Sequence, residues 1–426
     1  MNRHALVGGL GALVLLAYFV TDRFPDAPLQ IGAVLVLVFV IVLVVRYVLL
    51  LWLGYLHHIE SRADEQHEMA TSPVTIIVPV YNEEAVIGGA LRSLLALDYP
   101  AYDILVIDDG STDRTSEVVS AMAGRYGDVN VRVVRKRNGG KASALNTGIH
   151  LAATPFILCM DGDSRLAPDT LRRALRHFAD PRVGAVAGNV KVVNRNNVWT
   201  RLQALEYIEG LNLARRAQGF LHAVNIIPGP IGVFRRDTLV AVGGYDTDTF
   251  AEDADLTLKI LTNGWHIVYE EGAIAWTEAP EDFLDLIQQR YRWTRGILQA
   301  LGKRSGSLIR PTQGVLVWSS LIAMLFEAVI WPAVNVLVNL LFVTAALTAH
   351  TFAGVLYWWL LLTMLDVAAA LYTVAMEEED LALVPYAVVY RLFFITMIDV
   401  AKLFAAIEQL AQVQMSWGKL ERAGRI

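Results

Sequence analysis

Four short segments carry the groups most able to do chemistry: Pro79-Val80-Tyr81-Asn82-Glu83-Glu84, Asp108-Asp109-Gly110-Ser111, Asn138-Gly139-Gly140-Lys141 and Asp161-Gly162-Asp163. In Asp161-Gly162-Asp163 two carboxylates flank a glycine at the end of an apolar run. They can present oxygens to a hard divalent cation, which typically takes one or two protein carboxylates plus substrate phosphates. A diphosphate ligand is the natural complement, and the lack of a Walker-type glycine loop with Lys-Ser or Lys-Thr disfavours a P-loop NTPase. Further on, Glu252-Asp253-Asp255 opens a helical stretch, and QQRYRWTR (288–295) crowds three arginines and two aromatics into eight residues. On a helix, Gln289, Arg292, Trp293 and Gly296 share one face. Each feature has a plain structural explanation: Asp-Gly pairs make turns, Ser111 and Asp113 suit helix caps, acids suit a helix N-terminus, and Arg with Trp suits a membrane surface. Four such segments at one edge exceed what turns require.

The elements that position these groups are legible in the same region. From Thr75, short β-branched runs alternate with helical stretches: TIIVPV, EAVIGGALRSLLAL, DILVIDDGS, TSEVVSAMAGRY, VRVVRK, KASALNTGIHLAA and FILCMDGDS. The alternation predicts an α/β domain with a doubly wound, mostly parallel sheet. Ligands of such sheets bind beyond the carboxyl ends of the strands, where all four segments fall.

With 55% hydrophobic residues in 426, the chain is too apolar for an ordinary soluble protein, yet its charged residues gather in the middle. Two solvents are implied. A net charge of −6 without an extended basic run argues against nucleic acid as a partner. The single cysteine, Cys159, excludes an intramolecular disulfide and a thiolate metal site, and suits a buried strand.

Apolar stretches 5–20 and 31–56 predict an N-terminal transmembrane hairpin within residues 1–57. Arg3 on one side and Arg46, His57, His58 and Arg62 towards or beyond the other place residues 58–286 in the cytosol. An interfacial helix is expected over 287–312, transmembrane and interfacial helices over 313–412, and a basic cytosolic tail over 413–426. A cytosolic tail requires an even number of spans after the soluble region. Arg391, Asp399 and Lys402 are costly in lipid, so the last apolar stretch is expected to be interfacial or channel-lining. The stretch 199–222 is expected to be a surface helix near the membrane, without chemistry.

In order and at matching spacing over about residues 74–302, PVYNEE, DDGSTD, NGGKASALN, DGD, FAEDADL and QQRYRW resemble the processive family 2 glycosyltransferases of bacterial membranes. That group includes the cellulose, hyaluronan and poly-β-1,6-N-acetylglucosamine synthases. The resemblance implies a GT-A domain inserted between transmembrane helices, a UDP-sugar donor, and Mg2+ or Mn2+. It further implies that Pro79, Tyr81, Glu83, Asp108, Asp109, Lys141, Asp161, Gln289 and Arg292 bind the nucleotide sugar, while Asp163 with Asp161 holds the metal. Asp253, beside Glu252, becomes the catalytic base, and Arg292 meets the diphosphate. Pro228, Gly229 and Pro230 cradle the growing end, and Trp293 stacks beneath the acceptor sugar, as an indole face suits a pyranose. The family's Thr-Glu-Asp appears here as Ala251-Glu252-Asp253, which puts only local hydrogen bonding in doubt. Arg290 and Arg295, off the functional face, are left to the lipid headgroups.

Physical chemistry asks for the same parts: a base for the attacking hydroxyl and something to stabilise the departing diphosphate. A helix N-terminus at Glu252-Asp253 is expected to lower the base's pKa. The expected function is therefore polymerisation of a UDP-sugar, with UDP-GlcNAc the preferred donor, into a β-linked polysaccharide that crosses the plasma membrane. Cellulose- or hyaluronan-type synthesis, transfer of one sugar to a lipid carrier, and silent nucleotide-sugar binding are the alternatives. Expected partners are the donor, the growing polysaccharide and membrane lipid, with room for a small accessory membrane subunit.

Overall fold

The computed structural model of the protein describes residues 27–64, 71–310, 313–348 and 352–413. The first expected span, 5–20, and the tail beyond 413 lie outside the described residues. Strands β1 (Val74–Val80), β2 (Tyr102–Asp108), β4 (Val129–Arg135) and β5 (Phe156–Cys159) form a parallel core in the order β4-β2-β1-β5. All seven residues of β1 are buried. Its Val74, Ile76, Val78 and Val80 enter one hydrophobic core with Leu91 of helix Ile87–Leu95, whereas Ile77 enters a second with Leu145 of helix Lys141–Leu151. A strand covered on both faces reads as a continuous apolar run, which is why TIIVPV signals its place so well.

The chain leaves β1 for β2 and β4 on one side and returns to β5 on the other, so the topological switch lies between β1 and β5. Glu83 and Asp161-Gly162-Asp163 follow these two strands. That crevice is where doubly wound sheets bind ligands.

The sheet continues beyond the strands read from sequence. β8 (Gly232–Arg235) pairs antiparallel with β5 and with β7 (Val183–Val192), β7 pairs parallel with β9 (His266–Thr277), and β6 (Ser164–Leu166) closes the edge antiparallel to β9. At the other edge, TSEVVSAMAGRY is helical only to Ala121. Its Gly124–Tyr126 turns back as β3, antiparallel to β4, through Gly127 at φ 62.

The stretch expected at the surface is instead buried. Asn197 caps helix Val198–Leu205 in a reciprocal box with Thr200, a π-helical stretch Glu206–Asn212 follows, and helix Leu213–Phe220 completes the element. It packs between the sheet and the long apolar helix Ala27–Asp64. Its charges meet partners from both sides: Arg216 pairs with Glu377 at 2.8 Å, Glu206 with Arg290 at 2.5 Å, and Glu209 accepts from Tyr47 at 2.9 Å. The interleaved polar residues that suggested a wet surface instead meet Arg290, Tyr47 and Glu377 from neighbouring segments.

Among the described residues, four helices are long and apolar enough to cross a membrane: Val36–Ser61, Val315–Thr344, Leu356–Met376 and Leu381–Leu410. Three of these follow the domain, where a cytosolic tail would call for an even number. Polar groups in these helices pair with one another, the Arg391–Asp366 and Asn335–Asp399 pairs buried and the Arg46–Glu327 pair partly exposed. Arg391 donates to Asp366, Asn335 to Asp399 at 2.6 Å, and Arg46 to Glu327 at 2.8 Å. Asp399 is fully buried, and Lys402 lies 3.7 Å from it.

Candidate active site

Helix Glu252–Thr262 places Glu252 and Asp253 in its first turn, facing the carboxyl ends of the parallel strands. Lys141, the first residue of its own helix, reaches across to both sides. Its Nζ lies 2.6 Å from Asp161 Oδ1 and 2.9 Å from Glu252 Oε1. A narrow cavity opens here between these charges, Asp253 and Pro228-Gly229, above an apolar floor that includes Leu145, Cys159, Phe234 and Leu256. Burial works against the Lys141 ammonium, yet Asp161, Glu252 and Asp253 hold its pKa well above the usual lysine value. Burial likewise opposes ionisation of Glu252, but Lys141 and Arg292 keep it below the usual carboxylate range.

Asp253 behaves oppositely to the sequence expectation. Burial, and then the neighbouring Glu252 charge, raise its pKa from 3.8 to about 6, outweighing Lys141 and the Ala254 backbone N–H. A helix terminus contributes a partial charge, whereas desolvation beside a full negative charge is the larger effect. A carboxylate poised near 6 is ionised at neutral pH and basic enough to take a proton.

Pro228–Ile231 forms a turn, with Ile231 N–H donating to Pro228 O at 3.0 Å. Gly229 lies against the ion pair: a Cβ there would sit 2.8 Å from Asp161 Oδ2 and 2.9 Å from Lys141 Nζ. Pro228 and Gly229 line the cavity, whereas Pro230 does not.

Asp108 and Asp109 are almost wholly buried and build the rim. Asp109 accepts from Gly139 N at 3.1 Å, Gly140 N at 2.7 Å and Lys136 Nζ at 2.6 Å, which fixes the glycine turn that delivers Lys141. Asp108 accepts from Ser111 N at 2.9 Å and from the Ser116 hydroxyl, so its turn-forming role is real. Pro79 ends within β1, paired in register with Ile107, while Tyr81 is partly exposed beyond the strand. Burial and the Asp163 charge raise the pKa of Asp161 against the pull of Lys141.

The Asp163 charge so close to Asp161 invites a cation between them. A Cβ at Gly162 would lie 2.0 Å from Glu83 Oε2, so the Glu83 carboxylate leans over the same turn. Among the described residues no three acidic, His or Cys side chains converge as a full ligand set. A Mg2+ or Mn2+ that takes one or two carboxylates and completes its shell with phosphates needs no more, so Asp161 and Asp163 fit such an ion.

QQRYRW lies on helix Phe283–Lys303, and Gly296 brings that helix onto the segment Ala251-Glu252-Asp253. A Cβ at Gly296 would lie 2.4 Å from both Ala251 Cβ and Ala251 N. Arg292 and Trp293 are partly exposed, while Gln289 is buried. Arg290 and Arg295 do not reach headgroups. Both are buried, Arg290 on Glu206, and Arg295 on Gln409 at 3.0 Å and Val413 O at 2.7 Å. Arginines off the functional face still had a protein face to meet, made by helices 198–220 and Ile395–Leu410. Tyr245, whose backbone clasps Asn146 and whose ring lines the cavity, and Cys159 were not singled out for the site by sequence.

A family described as "Glycosyltransferase like family 2" matches residues 72–296. A poly-beta-1,6-N-acetyl-D-glucosamine synthase of Staphylococcus aureus is 34% identical over 224 residues, 52% of this chain and 54% of that protein. One of Staphylococcus epidermidis is 30% identical over 288 residues, 66% of this chain and 67% of that protein. The chain thus spans about half the length of the S. aureus relative. A mannosyltransferase from Pyrobaculum calidifontis, solved in complex with GDP-Man and Mn2+, matches with TM-score 0.58 at 22% identity, covering 94% of this chain and 100% of that one. The fold is the GT-A fold expected from the sequence.

Proposed function

This chain belongs to glycosyltransferase family 2, and from that premise we propose that it is a processive, inverting transferase that builds a β-linked polysaccharide from a UDP-sugar, UDP-GlcNAc first, and passes it across the membrane. The observation that carries this reading is Asp253, poised near 6 in the wall of a cavity that faces the Lys141–Asp161 pair, beside a helix bearing Arg292 and Trp293. The names of the staphylococcal relatives favour UDP-GlcNAc as donor.

The donor's uridine is read by Pro79, Tyr81, Glu83 and the Asp108–Asp109 rim, with Lys141, Asp161 and Gln289 along the nucleotide sugar. Asp163, with Asp161, would hold a divalent cation, which when bound neutralises charge on the diphosphate. Asp253 takes the proton of the acceptor hydroxyl as its oxygen attacks the anomeric carbon. The bond to the diphosphate breaks with its electron pair on the leaving oxygen, Arg292 steadies that charge, and configuration inverts. Glu252, locked on Lys141, keeps the base destabilised as a carboxylate and therefore basic. Pro228-Gly229-Pro230 and Trp293 hold the acceptor. In the layout, an N-terminal hairpin (1–57) and C-terminal helices (313–412) flank a cytosolic domain (58–286) and the motif helix. Passage of the product is assigned to these helices, because a hydroxylated chain cannot shed its water into hydrocarbon.

The test is incubation of the purified full chain with Mg2+ or Mn2+ and UDP-GlcNAc, UDP-glucose or UDP-glucuronate, singly and paired, then sizing and digestion with linkage-specific hydrolases. High-mass product from UDP-GlcNAc, absent in Asp253→Asn, is expected. Transfer of one sugar to extracted lipid contradicts polymerisation.

A further inference from the structure

We propose that Glu206 and Arg290 form a positioning pair that fixes the Trp293 indole as the acceptor platform and so commits the activated donor to the polymer rather than to water. This rests on the acceptor role given to Trp293 above. Arg290 is 3% exposed, and its guanidinium carbon lies 4.3 Å from the Trp293 ring centroid, within the range of a cation–π contact. Its nitrogens are all engaged: Nε with Glu206 Oε1 at 3.1 Å, Nη2 with Glu206 Oε2 at 2.5 Å, and Nη1 with the Gln289 amide oxygen. A bidentate fork sets the plane of the guanidinium, and the plane sets where the indole can rest. The Tyr207 ring centroid lies 6.0 Å from the same guanidinium carbon.

Two features single out positioning over stabilisation. A buried ion pair is weak evidence for stability, since an apolar pair of equal volume does as well. Glu206 also opens the π-helical stretch Glu206–Asn212, and π turns re-aim side chains and recur at functional sites. Arg290 and Trp293, three apart on one helix, are neighbours on its surface. Trp293 packs against the apolar core, lies under Arg290 and stays partly exposed, so a sugar ring would meet the part of the indole left open. A platform free to rotate would leave the acceptor hydroxyl out of reach of Asp253 while the donor site stayed intact.

The test compares Arg290→Lys, Glu206→Gln and Trp293→Ala in the reconstituted full chain with UDP-GlcNAc and Mn2+, measuring sugar transferred to polymer and sugar released to water. Arg290→Lys and Glu206→Gln are expected to lower the ratio of transfer to hydrolysis about tenfold or more, with little change in donor KM. Arg290→Lys added to Trp293→Ala should lower it no further, since both act through one indole. Parallel loss of transfer and hydrolysis, or additive losses, would show the pair to be structural only and overturn the inference. Should Arg290→Lys fold poorly, Glu206→Gln, which keeps shape and volume, decides alone. If Trp293→Ala keeps the wild-type ratio, the acceptor role itself fails. If it lowers the ratio and the other two do not, only the positioning pair fails.

Discussion

Gly296→Ala tests whether the motif helix is placed on the base motif by direct backbone contact. A new methyl would lie 2.4 Å from Ala251 Cβ and N and 2.8 Å from Phe250 C. Against an ordinary carbon contact of ~3.5–4.0 Å, the shortfall is roughly 1.1–1.6 Å. Two of the three atoms are backbone, so no side chain can swing away. The helix must shift, carrying Arg292 and Trp293 relative to Asp253. A misplacement of about 1 Å costs on the order of 100-fold in rate, while overpacking costs about 1–3 kcal/mol of stability, partly offset by the better helix propensity of alanine. Gly302 lies on the same helix with nothing within 4 Å of a Cβ, so Gly302→Ala is the control. UDP release by the reconstituted chain should fall about 100-fold in Gly296→Ala and stay at wild type in Gly302→Ala. Wild-type turnover by a folded Gly296→Ala protein would refute the reasoning.

Four more outcomes are expected. Asp253, with a folded pKa of about 6 against 3.8 unfolded, must be ionised to act, so kcat/KM should fall with unit slope below about pH 6. The stability it contributes by being protonated is full below pH 3.8 and lost as pH rises through about 6. Asp253→Asn should therefore raise the unfolding free energy at pH 8 by up to roughly 3 kcal/mol and leave it nearly unchanged at pH 3.5, read from denaturant titrations. Lys141 lowers the Asp253 pKa, so Lys141→Met should move the acid limb of residual activity to higher pH, measurable in a pH–rate profile. Asp163→Asn should weaken Mn2+ binding in the presence of UDP about tenfold or more, followed by the free-ion signal in electron paramagnetic resonance.

How much of this was legible beforehand follows from what sequence encodes. β1, β2 and β5 announce themselves because both faces are buried, and the carboxylates at their ends inherit their place from topology. Lys141 and Asp253 were legible as chemistry, but their meeting through Glu252 needed the fold. The pKa of Asp253 was misjudged because a helix terminus is visible in sequence while burial beside Glu252 is not. Arg290, Arg295 and the 198–220 helix were misplaced for one reason: hydrophobic periodicity shows which face is apolar, not that a polar face will be covered by another helix supplying Glu206, Gln409 or Glu377. Gly296 was visible as a member of a face, without sign that it touches Ala251.

The central claim is processive extension at the Asp253 site, and a pulse–chase measures it directly. The wild-type chain is given labelled UDP-GlcNAc briefly, then a large excess of unlabelled donor, and product length is resolved over time alongside Asp253→Asn. Label should move into high-mass polymer while most acceptors stay unextended, with no polymer from Asp253→Asn. Uniform short products growing in step, or undiminished polymer from Asp253→Asn, would contradict the account.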